Sequence, residues 1–174
     1  MNLKGKKVLV VGSGISGIGA VEALHHAGAV PVLFDENEKL CPEDVRAKLK
    51  PDVPVQIVIG SLPEEIEKYV ELLVLSPGVP TDTAFVEAFR KRGVKIWGEI
   101  ELAYEIGKGT VIGITGTNGK TTTTSLVGAI MAACCKDVDV VGNIGNPYTL
   151  TAQDSTEETV TVAEISSFQL ETVE

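Results

Sequence analysis

Two glycine-rich turns hold the residues whose types and spacing best suit chemistry on phosphates. The first runs Gly12, Ser13, Gly14, Ile15, Ser16, Gly17, a G-x-G-x-x-G spacing between an apolar strand pattern and a helical one. Glycines there let the backbone approach a pyrophosphate, and the helix start offers amide donors and the positive end of a dipole. Asp35 lies eighteen residues beyond Gly17, at the end of the next strand pattern, where a carboxylate can accept from a ribose or other hydroxyl. Nothing in this pattern demands nicotinamide. Any nucleotide diphosphate would suit it, and so would a tight strand-to-helix turn with no ligand.

The second turn lies in "GITGTNGKTTTT". A standard phosphate-binding loop, G-x-x-x-x-G-K-[ST], would place glycine at position 114, but Ile114 stands there and Gly113 comes one residue too early. What remains is Gly116, Thr117, Asn118, Gly119, Lys120, Thr121, directly after an apolar strand and before a long helix. Amides from Gly116 to Lys120 can form an anion nest, Lys120 can reach β- and γ-phosphates, and the Thr121 hydroxyl can ligate Mg²⁺. Thr122 to Thr124 are poor helix formers that can pack or cap without further duties.

The elements that must position these turns follow in order. "KKVLVVG", the first turn, the helix "GIGAVEALHHAG" closed by Gly28 and the strand "AVPVLFDE" form a βαβ unit. "PVQIVIG" and "ELLVLSPG" are further strands, separated by a short helical stretch after Pro63, with Glu64, Glu65, Glu67 and Glu71 expected on one helix. "TDTAFVEAFRKRG" is a helix with Thr81 or Asp82 as its expected cap, and "VKIW" is the next strand. To about Trp97 this is a doubly wound parallel sheet of roughly five strands, which binds ligands at the carboxyl ends, where Gly12, Asp35 and Ser76 fall. "GEIELAYEIGKG" reads as an acidic connecting helix, after which strand, glycine loop and the helix "TTTTSLVGAIMAACC" restart the pattern. A strand "DVDVVG", the turn "GNIGNP", a polar loop "TAQDSTEE" and a strand "TVTVAEIS" follow. The fold class expected is therefore α/β: a Rossmann-like domain over residues 1–97, then over 98–174 a sparse, truncated first part of a P-loop ATPase domain.

Bulk properties narrow the function. The 174 residues are 44% hydrophobic and 5% aromatic with 18 glycines, which suits a globular α/β protein. A net charge of -9 spread along the chain disfavours binding nucleic acid by general electrostatics. No apolar run approaches the roughly 20 residues of a membrane span, and the start lacks a signal-peptide pattern, so the cytoplasm is the expected location. Cys41, Cys134 and Cys135 lack metal-ligand spacing, and a bridge between the neighbours Cys134 and Cys135 would be strained, so all three are expected as reduced thiols. His25 and His26 fall on the first helix as surface residues.

"GITGTNGKTTTT", then "VGNIGNP", then "VAEISSFQLE" resemble the ATP-dependent Mur ligases of peptidoglycan synthesis, whose phosphate loop has this T-G-T-N-G-K-T form without the first glycine. Together with "GSGISG", "SPGVP", "GEIEL" and "SSFQLE", the match is to the branch that adds D-glutamate, and it runs the length of the chain. The resemblance implies that the first domain binds the uridine diphosphate of UDP-N-acetylmuramoyl-L-alanine through Ile15, Ser16, Asp35, Ser76, Pro77 and Gly78. Glu36 and Asn37 stand where some members have a threonine and an arginine beside the uracil. In the second domain, Gly116 to Thr121 match ATP-binding positions, Lys120 and Glu164 catalytic ones, and Thr121 and Glu164 magnesium ligands. Asn143, Ser166 and Gln169 match positions near the phosphates and the muramoyl group. A strand-end carboxylate beside a phosphate loop also suits Mg²⁺ on physical grounds.

The reaction implied begins when the substrate's alanyl carboxylate attacks the γ-phosphate of ATP, giving an acyl phosphate that the amine of D-glutamate displaces. The parent enzyme would act as a monomer on small molecules, without nucleic acid or membrane insertion. Family members also carry, beyond the point matching Glu174, a magnesium-ligating histidine, a carbamylated lysine, the rest of the ATPase sheet and a C-terminal amino-acid-binding domain, so the chain alone is expected to be inactive. Two other readings stay open on the residues alone: an NAD-dependent oxidoreductase, on the Gly12, Gly14, Gly17 and Asp35 pattern, and a non-catalytic nucleotide-binding module.

Overall fold

The computed structural model describes residues 1–143 and 146–174; Ile144 and Gly145, in the expected turn "GNIGNP", lie outside the described residues. The first sheet has the order β3-β2-β1-β4-β5. Its strands are β1 (Lys7–Val11), β2 (Val30–Asp35), β3 (Gln56–Ile59), β4 (Leu72–Leu75) and β5 (Lys95–Gly98). All neighbours pair parallel, so every carboxyl end opens on the same edge. The chain moves outward from β1 through β2 to β3, then crosses to the other side for β4 and β5. That reversal leaves a crevice between the ends of β1 and β4.

Strand alternation supplies both faces. Val8 and Val10 pack with Ile18, Val21 and Leu24 of α1 (Ile15–His26) on one side. Leu9 and Val11 pack with Val86 and Phe89 of α4 (Ala84–Lys91) on the other. These strands are buried on both faces, which is why they read as continuous apolar runs.

The second sheet has the order β6-β8-β7, from β6 (Thr110–Ile114), β7 (Val138–Gly142) and β8 (Val160–Glu164), all parallel. The long helix α6 (Lys120–Cys134) covers one face, buries Thr124 and Gly128, and leaves Leu126 and Ile130 exposed. A Cβ on Gly128 would lie 2.6 Å from Val140 Cγ2, so the glycine sets how closely α6 lies on the sheet.

Helix α5 (Glu99–Ile106) serves both sheets. Leu102 and Ile106 join the first sheet's core, whereas Ile100 and Ala103 pack with Val141, Tyr148 and Ala163. Of the glutamates on this acidic connecting helix, Glu99 and Glu101 are buried and Glu105 is exposed.

Four local expectations are corrected. The cap of α4 is Thr83, whose side chain accepts from Val86 N at 3.2 Å, and not Thr81 or Asp82, which lie further upstream. Helix α3 ends at Glu67 (Glu64–Glu67), so Glu71 stands outside it and its carboxylate instead accepts from Lys7 N. The expected loop "TAQDSTEE" begins inside a helix, α7 (Tyr148–Ala152). Helices α2 (Pro42–Arg46) and α8 (Ser167–Leu170) were not anticipated.

The cysteines are free thiols, and His26 is exposed with His25 half-buried at the end of α1. Among the described residues no helix is long and apolar enough to cross a membrane.

Candidate functional site

The first turn is built by steric necessity. Gly12 has φ +98°, and a Cβ on Gly17 would fall 1.8 Å from the Gly12 carbonyl oxygen, so α1 can begin this close to β1 only with glycine there. Gly14 differs: it caps α1 at φ -72° with open space around a would-be Cβ. Its lack of a side chain matters to whatever approaches the turn rather than to the fold.

Asp35 ties the turn to β2. Its Oδ2 accepts from Ser13 N at 2.8 Å and from Ser13 Oγ at 2.6 Å, and its Oδ1 accepts from Asn37 N at 3.0 Å. Burial alone would push this carboxyl up, but the Ser13 hydroxyl, the amides of Asn37 and Ser13 and the Lys48 charge outweigh it, and Asp35 titrates below the usual range. The expected acceptor for a ligand hydroxyl therefore already has three donors from the protein itself. Ser76, at the end of β4, donates to the Gly12 carbonyl at 3.3 Å. Gly12, Asp35 and Ser76 do converge at the carboxyl edge. Ile15, 76% exposed, stands beside them with Ser16, and Pro77 and Gly78 are exposed on the other bank of the crevice.

In the second turn Gly116 and Gly119 have φ +149° and +78°, and Gly119 caps α6. Lys120 Nζ donates to the Gly116 carbonyl at 2.8 Å, so the ammonium lies over the loop it would share with an anion. Thr117, Asn118 and Thr121 are exposed. Thr124 donates its hydroxyl to the Lys120 carbonyl at 2.9 Å, a local use that keeps it out of the site.

Glu164 ends the central strand β8, in register with Ile114 on one side and Gly142 on the other. It is only 4% exposed, and its Oε2 has no hydrogen-bond partner among the described residues. Asn143 N donates to the Glu164 carbonyl at 3.1 Å, which brings Asn143 to the same edge. Among the described residues no group of three or more histidine, cysteine or acidic side chains could hold a metal by itself.

Ser166 and Gln169 are engaged with each other. Ser166 Oγ accepts from Gln169 N at 3.3 Å and Gln169 Oε1 accepts from Ser166 N at 2.9 Å, a capping box that starts α8. The S-x-x-Q spacing was the sequence signal for it. Beside α8 opens a cavity of about 410 Å³, bounded by Ser76 and Asp82 from the β4 side, Glu99 from α5, and Phe168, Gln169 and Glu171. Glu99 and Phe168 are not among the residues that the sequence singles out.

The site thus comprises two phosphate-type turns of different construction, each at the carboxyl edge of a parallel sheet, with a cavity at the mouth of the first. Residues 6–98 match the description "Mur ligase MurD-like, N-terminal domain" and residues 114–174 match "Mur ligase middle domain". The chain belongs to the Mur ligase family. Among individual relatives, UDP-N-acetylmuramoylalanine--D-glutamate ligase of Lachnospira eligens is 56% identical over 99% of this chain, and the enzyme of the same name from Lachnoclostridium phytofermentans is 51% identical over 100%. The chain spans 38% of the length of each. Among solved structures, UDP-N-acetylmuramate:L-alanyl-gamma-D-glutamyl-meso-diaminopimelate ligase from Neisseria meningitides aligns with a TM-score of 0.53 at 17% identity. That alignment covers 92% of this chain and 52% of that one, a likeness of fold.

Proposed function

We propose that this chain is the nucleotide-handling part of an ATP-dependent ligase that joins D-glutamate to UDP-N-acetylmuramoyl-L-alanine. Residues 1–97 form a UDP-substrate-binding domain, with Ile15, Ser16, Asp35, Ser76, Pro77 and Gly78 around the uridine diphosphate. Residues 98–174 form the N-terminal part of a central ATP-binding domain, with residues 116–121 and Asn143 on ATP and Asn143, Ser166 and Gln169 toward the muramoyl group. The reading places the chemistry in the cytoplasm, on small molecules, in a monomer.

The observation that carries this reading is Glu164: a buried carboxylate with an oxygen that has no partner among the described residues, at the end of the central strand and in register with Ile114, where the strand leading to the Lys120 and Thr121 loop ends. An unpaired buried carboxylate is costly, and a cation beside it would remove the cost. The donor set fits magnesium, which takes one or two protein oxygens and completes its shell with phosphates and water. Thr121 and Glu164 would hold it, and when bound it neutralises charge on the β- and γ-phosphates. Lys120 supplies the protein's own positive charge to the transferring phosphoryl group, and the loop amides orient it for attack by the alanyl carboxylate. A carboxylate–phosphorus bond forms, the bond to the ADP oxygen breaks, and the amine of D-glutamate then displaces phosphate.

Calorimetric titration tests the reading. The chain should bind UDP-N-acetylmuramoyl-L-alanine, and ATP with magnesium, as independent events. Lys120→Ala should weaken ATP about ten- to hundredfold, the range for losing a charged hydrogen bond, without changing the UDP-substrate affinity. Preference for NAD over the UDP substrate, or ATP binding indifferent to Lys120, would overturn it.

A further inference from the structure

The cavity beside α8 differs in character from the two turns. The turns offer amide donors and a lysine, whereas the charged groups bounding the cavity are Asp82, Glu99 and Glu171, and no lysine or arginine bounds it among the described residues. Asp82 and Glu171 are exposed, and Glu171 Oε2 already accepts from the Thr81 hydroxyl at 3.0 Å. Glu99 is another matter. It is 6% exposed in the first turn of α5, yet its one hydrogen bond among the described residues is a long one, 3.4 Å, from the Thr149 hydroxyl. A carboxylate so buried and so poorly satisfied is costly unless something that enters the cavity donates to it.

The wall is selective by charge sign. A neutral group rich in hydroxyl or amide N–H donors would satisfy Glu99 with charge-assisted hydrogen bonds, while an anionic group would face three carboxylates with no compensating cation. Resting on the reading that a UDP-linked sugar binds at the crevice between β1 and β4, we propose that Glu99 is a specificity-determining residue. It accepts from hydroxyl or amide donors of the neutral sugar body, and with Asp82 and Glu171 it turns anionic groups away. The substrate is thereby oriented: its diphosphate goes to the Gly12 to Gly17 turn, its neutral body faces the acidic wall, and its terminal carboxylate is driven away from that wall, toward the Lys120 loop. Ser76 supports the geometry, because it bounds the cavity and also donates to Gly12 O, so cavity and first turn share a wall.

The test is calorimetric titration of the whole chain with three probes: UDP, UDP-N-acetylglucosamine, whose sugar is neutral, and UDP-glucuronic acid, whose sugar carries a carboxylate. The expected order is the neutral sugar nucleotide at least tenfold tighter than the acidic one. In Glu99→Gln that gap should close to about threefold or less, with UDP itself bound as before. Unchanged UDP affinity separates a lost selectivity contact from a damaged fold. Should Glu99→Gln not fold, the exposed pair Asp82→Asn with Glu171→Gln should narrow the same gap in part. Equal affinity of the wild-type chain for the two sugar nucleotides, or a gap untouched by these substitutions, overturns the proposal. Failure of UDP itself to bind overturns the underlying reading instead.

Discussion

Asp35 and Glu164 show opposite uses of a carboxylate. Asp35 is satisfied three times over, so Ser13→Ala should cost about 1 kcal/mol near neutral pH, the usual worth of one hydrogen bond. The sign of its pH dependence follows from the direction of the shift. Asp35 titrates below its ordinary value when folded, so its contribution is present above the unfolded value of about 3.9 and is lost as pH falls through the folded one. The difference between wild type and Ser13→Ala should therefore shrink in urea titrations below about pH 4. Glu101, whose carboxyl is pushed up by burial, drifts the opposite way, but it is common to both proteins and subtracts out. A gap that stays constant down to pH 2.5, a value set about one unit or more below the unfolded pKa, would sink the assignment. Glu164 is the reverse case. Because its Oε2 has no partner among the described residues, Glu164→Gln should leave the melting temperature unchanged or raise it, while weakening ATP in magnesium at least tenfold. A destabilised variant that kept its nucleotide affinity would make Glu164 a structural residue.

At the scale of elements, the strand, turn and helix units were legible because their causes are local. A doubly buried parallel strand is a run of Val, Ile and Leu, and the turns need glycine where φ is positive or a Cβ would collide. Gly17 and Gly14 separate those causes. Gly17→Ala drives a methyl into the Gly12 carbonyl and should cost several times the ~1 kcal/mol of a typical substitution. Gly14→Ala meets open space and should cost ~1 kcal/mol or less in denaturant, while still obstructing a diphosphate and lowering UDP affinity. Equal destabilisation by the two would refute the distinction. Helices α2, α7 and α8, of four or five residues each, span little more than one turn, too short for a 3.6-residue period to register, whereas the equally short α3 was marked by Pro63 at its start. The Thr83 cap was missed because three polar residues in a row, Thr81, Asp82 and Thr83, can each serve, and only the backbone path selects one. Of the candidate site, the two turns were legible from residue type and spacing, whereas Glu164 was singled out by the family resemblance. Glu99 and the cavity were not, since they arise where α5 and α8 meet and no local pattern encodes that meeting.

For the whole molecule, the question is what keeps two sheets with separate turns in one arrangement. Helix α5 gives opposite faces to the two cores, and α7 lies across α1 at Gly19, where a Cβ would come within 2.8 Å of Thr149 Oγ1 and 3.2 Å of Leu150 Cδ2. Thr149 is fully buried there and is also the residue that donates to Glu99, so the α1 to α7 contact reaches the cavity wall. A shared helix and a close helix crossing leave neither core able to unfold without exposing part of the other. Scanning calorimetry of the wild-type chain should accordingly give one cooperative transition. Gly19→Val, which forces α7 away from α1 while leaving every residue of both turns in place, should cost about 1–3 kcal/mol by overpacking and lower the transition by roughly 5 °C. It should also separate the melting of the two sheets. The same variant should lose selectivity between neutral and acidic sugar nucleotides, because Thr149 moves away from Glu99, whereas its affinity for ATP should hold, because the Lys120 loop belongs to the face of the second sheet that α6 covers. Two resolved transitions already in the wild-type chain, or a Gly19→Val variant with unchanged melting and selectivity, would mean that the two sheets are neighbours without being coupled.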